Sequence, residues 1–167
     1  MQIQARLIAP ADAPGLQEAF AGTPWDHGLQ RFERLVGQHD SAARHVWVGL
    51  ADGRPVAYGS LLADSAYPPF REQGIPEIHD LNVAPRFRRL GIASRILDQA
   101  ERLAFEAHDA VGIGFGLHPG YRAAQRLYVR RGYVPDGNGV YCRGHFPQEG
   151  EQVRLDDDLV LYLVKRR

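Results

Sequence analysis

The sequence predicts a single α/β domain, and three observations predict it. Residues 77–117 run strand, glycine loop, helix, strand, an order that lays two parallel strands side by side through a right-handed crossover. Residues 45–62 form two apolar runs around Asp52-Gly53, the pattern of an antiparallel hairpin. The length, 167 residues, suits one well-buried core and is short for two, so residues 1–167 are read as one domain.

Taken in order, Gln2 to Ile8 alternates as a strand. Pro10 and Asp12 mark a helix start, and Leu16, Ala19 and Phe20 give that helix its apolar stripe. Gly22-Thr23-Pro24 breaks it, and Leu29, Phe32 and Val36 imply a second helix ending near Gly37. In the first strand of the hairpin, Val46, Val48 and Leu50 share one face and Trp47 takes the other. Pro55 to Leu62 is the return strand. Ala63 to Pro76 reads as irregular, with Pro68-Pro69 and a late Gly74. A loop of that length is more often functional than accidental, so Tyr67 is a candidate for the mouth of a substrate site, or else a pinned aromatic.

Ile78 to Val83 is a strand that Pro85 stops, because proline has no ladder donor. Gly91 starts a helix whose apolar face carries Ile92, Ile96, Leu97, Ala100, Leu103 and Ala104, with Glu101 elsewhere. Ala110 to Leu117 alternates apolar residues with Gly112, Gly114 and Gly116, and glycine in a strand marks close approach by another group. Tyr121 to Arg131 is a helix closed by Gly132. A strand then enters a polar excursion in which Asp136-Gly137-Asn138-Gly139 reads as a turn, and Leu159 to Val164 is the last strand.

Formal net charge is zero, so no global field favours nucleic acid or an anionic membrane, and neither is expected as a partner. The one cysteine, Cys142, excludes an internal disulfide and suits a reducing compartment. The N-terminus lacks the basic-then-apolar order of a signal peptide, and no apolar run approaches membrane-spanning length. A cytoplasmic location is the expectation. No histidines pair at metal spacing, so no metal is expected.

Arg86, Arg88 and Arg89 between strand and helix make a phosphate site. The first helical turn has unpaired N–H groups and a partial positive charge, glycine lets an anion approach them, and arginine adds fixed charge. The loop is neither a P-loop nor a dinucleotide fingerprint.

Arg88-Arg89-Leu90-Gly91-Ile92-Ala93 matches [QR]-x-x-G-x-[GA], Leu81-Asn82-Val83-Ala84-Pro85 matches L-x-V-x-P, and Ala124-x-x-Leu127-Tyr128-x-x-x-Gly132-Tyr133 matches A-x-x-L-Y-x-x-x-G-[FY]. On these motifs the chain resembles the GNAT superfamily of acetyl-CoA-dependent N-acetyltransferases, over roughly residues 77–134. The resemblance implies a mixed, mostly antiparallel sheet with a splayed parallel strand pair holding CoA and helices on both faces. It implies acetyl-CoA as cosubstrate, its pyrophosphate at Arg88, Arg89, Leu90, Gly91, Ile92, Ala93 and Ser94. Leu81, Asn82 and Val83 would line the pantetheine, joined by Ala124 and Tyr128 from the later motif. Many family members carry Asn where Tyr121 stands; the contact is lost here, replaced by the phenol, or taken by His118.

Acetyl transfer to an amine needs a base, because an alkylamine with a pKa of about 10.4 is almost wholly protonated at neutral pH. The resemblance puts Glu77, four residues before Leu81, at the position of a catalytic glutamate. Strand alternation sets Glu77, His79, Leu81 and Val83 on one face unless a bulge breaks the parity. His79 is the second candidate base and His118 the third. Asp80 should face away from Glu77, and holds an acceptor amine or pairs with an arginine. The resemblance further implies that the Val83 N–H polarises the thioester oxygen and that Tyr128 protonates the leaving thiolate. Trp25, in the break between the first two helices, stacks on substrate or anchors the core.

The expected activity is transfer of an acetyl group to a primary amine of a small molecule by direct attack in a ternary complex. Two alternatives stand beside it: a protein or peptide amine as acceptor, and a non-catalytic acyl-CoA sensor. The resemblance leaves a homodimer open.

Overall fold

The computed structural model describes residues 1–39 and 43–167. Its strands are β1 (Ile3–Leu7), β2 (Arg44–Ala51), β3 (Arg54–Leu62), β4 (Glu77–Val83), β5 (Ala110–Gly116), β6 (Val134–Cys142) and β7 (Leu159–Arg166). They form one sheet in the order β1-β2-β3-β4-β5-β7-β6. Only β4 and β5 run parallel; the other neighbours are antiparallel. The helices are α1 (Ala13–Phe20), α2 (Leu29–Gly37), α3 (Pro68–Gln73), α4 (Ile92–Ala107) and α5 (Arg122–Arg130).

The β2–β3 hairpin turns on Asp52 at φ +47° and Gly53 at φ +79°, the two positive angles a tight hairpin needs. Its alternation sends Val46, Val48 and Tyr58 to α1 and α2, and Trp47 and Ala57 to α4. The α4 helix lies close on the sheet because β2 and β3 carry glycine beneath it. A Cβ at Gly49 would come within 2.4 Å of Ile92 Cγ2, and one at Gly59 within 2.9 Å of Ile96 Cγ2.

Four expectations need correction. Residues 63–76 are not irregular throughout, because α3 begins at Pro68-Pro69 and ends at Gly74 with φ +63°. Proline lacks only a donor that the first helical turn leaves unpaired, so two prolines can open a helix. Asp136 to Gly139 do not form a turn. They bulge out of β6 between the pairs Pro135–Leu163 and Val140–Leu161. Glu101 lies inside the core beside Leu97 and Ala104. The fourth correction, in β4, shapes the site.

Candidate active site

The β4–β5 ladder holds only two pairs, Glu77–Gly112 and Ile78–Ile113. Past Ile78 the strands diverge, and a cleft of about 190 Å³ opens between them, floored by Glu77 and walled by Tyr128 and Tyr162. A larger cavity, about 390 Å³, lies between α3 and β6 and contains none of the predicted site residues. The smaller one is the candidate site because two strands part there and buried titratable groups line it.

The parity expected for β4 fails at a bulge. Tyr58 pairs with Asn82 and Ser60 with His79, so Asp80 and Leu81 together face the single residue Gly59. Asp80 absorbs the extra residue at φ +55°. Ile78, Leu81 and Val83 therefore pack in the core under α4, and Glu77 and His79 take the opposite face. Asp80 does not turn away from Glu77; both line the cleft.

Glu77 is 4% exposed. Its hydrogen-bond donor is the Ser65 hydroxyl, which itself accepts the Tyr67 N–H at 3.0 Å. Burial raises the Glu77 pKa above the usual glutamate value, and the Ser65 bond opposes the rise only in part. His79, 47% exposed at its side chain, has Nδ1 3.6 Å from Asp80 Oδ2. That partner raises the His79 pKa. Asp80 Oδ2 also accepts Arg31 Nη2 at 2.9 Å and Arg44 Nη2 at 3.0 Å. Burial works against its ionisation, yet His79 and the two arginines hold it well below the usual carboxylate range.

On the β5 side Tyr128 is buried, its ring against Phe115 and Tyr133, and burial keeps its phenol protonated far into the alkaline range. Tyr121 fits against β5 because Gly116 has no Cβ. Its hydroxyl donates to Asp157 at 3.0 Å, and burial, with Asp157 next, raises its pKa to about 12. His118 lies 2.8 Å from the same Asp157 oxygen through Nε2, while its Nδ1 accepts the Gly120 N–H at 3.1 Å. Both ring nitrogens of the third candidate base are thus engaged.

The basic loop between β4 and α4 alternates conformations, with Arg89 at φ +64° and Gly91 at φ +83°. Such alternation turns successive N–H groups the same way. Gly91 caps α4, leaving the amides of Ile92, Ala93 and Ser94 without helical acceptors, and nothing lies within 4 Å of where a Gly91 Cβ would stand. Arg88 turns back. Its Nε donates to the Val83 carbonyl at 3.1 Å and its guanidinium sits 4.5 Å over the Trp25 ring. Ala84 N–H donates to Val56, so the alternation of the antiparallel ladder aims the Val83 N–H away from β3, toward the splay.

Of the predicted residues, the splay gathers Glu77, His79, Asp80, Leu81, Asn82, Tyr121 and Tyr128. Trp25 stands apart beside Arg88 and packs on the α1–α2 core. Tyr67 is a core residue stacked 3.7 Å from Tyr162, its hydroxyl on Asp136 at 2.6 Å. Ala124 packs against the core beneath α5. Four residues were missed: Ser65, Arg31, Arg44 and Asp157 as a partner of His118 and Tyr121. Ser65 gave one usable signal, a serine three residues before a helix start, where its hydroxyl accepts a turn N–H.

A family model described as the acetyltransferase (GNAT) family matches residues 14–133. No curated protein matches the sequence. Among solved structures, an acetyltransferase assigned to the GNAT family from Desulfovibrio desulfuricans superposes with a TM-score of 0.70 at 16% identity, covering 99% of each chain. A ribosomal-protein-alanine N-acetyltransferase from Brucella melitensis gives 0.68 at 20% identity over 100% of each. A spermidine N-acetyltransferase chimera from Vibrio cholerae and hSSAT gives 0.67 at 14% identity, covering 99% of this chain and 96% of that one. At these identities the likeness is one of fold, and two different acceptors are named on it.

Proposed function

Because the chain belongs to the acetyltransferase (GNAT) family and is an N-acetyltransferase, we propose that it moves an acetyl group from acetyl-CoA to a primary amine of a small molecule by direct attack in a ternary complex. The observation that carries this reading is Glu77: a buried carboxylate without an ion pair among the described residues, at the floor of the cleft where β4 and β5 part. Its raised pKa lies nearer neutrality than that of an ordinary glutamate, which suits a group that must take a proton from an ammonium, directly or through a water. Tyr128, protonated and on the opposite wall, supplies a proton to the departing sulfur. The Val83 N–H, turned into the splay, donates to the thioester oxygen, and one such donor is worth roughly 10²–10³ in rate.

The loop at Arg89 to Ser94 fits a pyrophosphate: unpaired amides, a positive helix end and open space beside Gly91. Direct attack is supported by Cys142, which is buried and does not line the cleft, so no cysteine stands ready to carry the acetyl group. The small cleft supports a small acceptor.

Thiol release from acetyl-CoA, followed across a panel of small amines, tests the reading. Turnover with at least one amine is expected. CoA binding without turnover on any small amine or peptide would leave a sensor in place of an enzyme. In calorimetry, Gly91→Asp should abolish CoA binding; unchanged affinity in a folded variant would move the pyrophosphate elsewhere.

A further inference from the structure

We propose that the acceptor amine carries an aromatic ring, packed against Tyr162 while its nitrogen sits at Glu77. The inference rests on the acetyltransferase reading and names its substrate class.

Gly112, Gly114 and Gly116 share one face of β5. It is the face on which Glu77 stands, because Glu77 pairs with Gly112 in the parallel ladder. Each glycine is covered by an aromatic ring. A Cβ would come within 2.1 Å of Phe70 at Gly112, 2.9 Å of Tyr162 at Gly114 and 2.5 Å of Tyr121 at Gly116. The side chains that β5 lacks are the room these rings occupy.

Two of the three rings, Tyr162 and Tyr121, line the cleft together with Val160. The β5 side is therefore largely aromatic and apolar, while Glu77, His79 and Asp80 make the β4 side polar. The order along β5 sets the reach. Glu77 is level with Gly112, and the Tyr162 ring covers Gly114, two residues or roughly 7 Å farther along. Tyr162 is thus the cleft ring nearest the base. Its phenol is kept protonated by burial first and by the Glu77 charge second, as that nearness requires.

Tyr162 is also a fixed surface. Tyr67, 1% exposed, stacks on it at 3.7 Å and 10°, and Phe70 meets it edge-on at 5.4 Å. Tyr67 is held in turn by its hydroxyl on Asp136 and its N–H on Ser65. Tyr67 takes one face of the Tyr162 ring, so a ligand meets the other face or an edge. Offset stacking and edge-to-face packing are the two arrangements that aromatic pairs favour. An arylalkylamine with a short linker fits both ends, its nitrogen at Glu77 and its ring at Tyr162. A linear polyamine would carry a second ammonium past these rings and out of water. The chemistry balances as before: ammonium and thioester give amide, free thiol and one proton.

The test compares phenethylamine, cyclohexylethylamine and ethylamine by thiol release. Phenethylamine should lead cyclohexylethylamine, which buries a similar apolar area, by roughly twofold to tenfold in kcat/KM, the range for an aromatic pair beyond its area. Both should lead ethylamine by roughly tenfold or more through the added carbons. Tyr162→Leu should bring the two ring-bearing amines level, mainly through KM, and Tyr162→Phe should keep them apart. The order is read on the wild type, so it stands even if Tyr162→Leu does not fold. Equal use of the two ring-bearing amines, a lead for a linear diamine, or a phenethylamine lead that survives Tyr162→Leu would overturn the proposal while leaving the acetyltransferase reading intact. Should no amine release thiol, that reading fails, and calorimetry of the same amines against CoA-loaded protein decides the ring site. Phenethylamine bound tighter than cyclohexylethylamine supports it, and equal or absent binding overturns it.

Discussion

Two buried glutamates lie on this sheet and the helix packed over it, and they meet opposite surroundings. Glu77 is 4% exposed and Glu101 is 6% exposed. Around Glu101 the chain assembles Arg131, with both carboxylate oxygens at 2.9 Å, Lys165 at 2.6 Å and the Tyr133 hydroxyl at 3.1 Å. Burial acts to raise its pKa, but the two cations win and the net shift is downward. Glu77 has a serine hydroxyl and, among the described residues, no cation in contact, so burial wins and the shift is upward. Burial alone therefore does not decide which way a carboxylate shifts. The partner does: Glu101 is held ionised by two cations and joins α4, α5 and β7, while Glu77, without them, is shifted upward.

The largest expected effect breaks the comparison at Glu77. Glu77→Gln keeps size and hydrogen bonding, so the protein should fold, and kcat/KM should fall by roughly 10²–10⁴, the range for general-base catalysis. The rising limb of the wild-type pH profile should vanish or move, and the deficit should shrink at high pH, where free amine is plentiful. His79→Gln is the control from the same strand. If it loses rate and limb while Glu77→Gln keeps both, the base is His79. If neither changes, the site draws neutral amine from solution.

Next comes Glu101→Gln, which should act on stability alone. It leaves two partly buried cations short of their counter-charge, although Asp98 still bonds Arg131 at 2.7 Å. The expected cost is about 3 kcal/mol, a Tm loss of roughly 6–12 °C for a chain of this size. Turnover per folded molecule should stay at the wild-type level. The pH dependence separates the pair by sign. Glu101 has a folded pKa below the ordinary 4.5, so its contribution is present above that value and is lost as pH falls through the folded pKa. Glu77 is raised, so its contribution is fully present below 4.5 and is lost as pH rises through the folded pKa. Denaturation curves across acid pH should show Glu77→Gln gaining on wild type toward neutrality and Glu101→Gln losing. Equal slopes would mean that the partners do not decide.

A smaller effect is expected at Tyr128, the buried phenol across the cleft. Tyr128→Phe keeps the ring on Phe115 and Tyr133, so Tm should hardly move. Loss of the acid should lower kcat by about 10–10² with a reactive amine. An unchanged kcat would make Tyr128 a packing residue.

How far the sequence announced this follows from the range of the interactions. The sheet, the crossover and the basic loop rest on local patterns of two to four residues, and they are found where those patterns place them. Glu77 was legible because it stands in a strand at a fixed distance from Leu81. Its face relative to Leu81 was not, because the bulge at Asp80 depends on a non-glycine residue at φ +55°, held by arginines from α2 and β2. Glu101 was read as lying off the apolar face because its arc of α4 is covered only when Arg131 and Lys165 arrive from distant segments. The link between Arg31 and Arg44 was illegible for the same reason: the two are joined through Asp80, on a third element.

The smallest effect sharpens the comparison by removing the one group that keeps Glu77 from being wholly unpartnered. The Ser65 oxygen accepts the Tyr67 N–H, so its own hydrogen is directed to Glu77 Oε2. That bond favours the charged carboxylate and limits the rise that burial causes. Ser65→Ala should therefore move the rising limb of kcat/KM to higher pH. Activity at neutral pH should fall by about tenfold or less, and the plateau at high pH should be kept. The variant also leaves the Tyr67 N–H buried without an acceptor, at a cost of about 1–3 kcal/mol, so Tm must be measured beside the profile. A limb that stays in place while Tm drops would confine Ser65 to holding the turn before α3. A limb that moves down in pH would mean that some other donor, once Ser65 is gone, stabilises the carboxylate better, and the contrast with Glu101 would narrow accordingly.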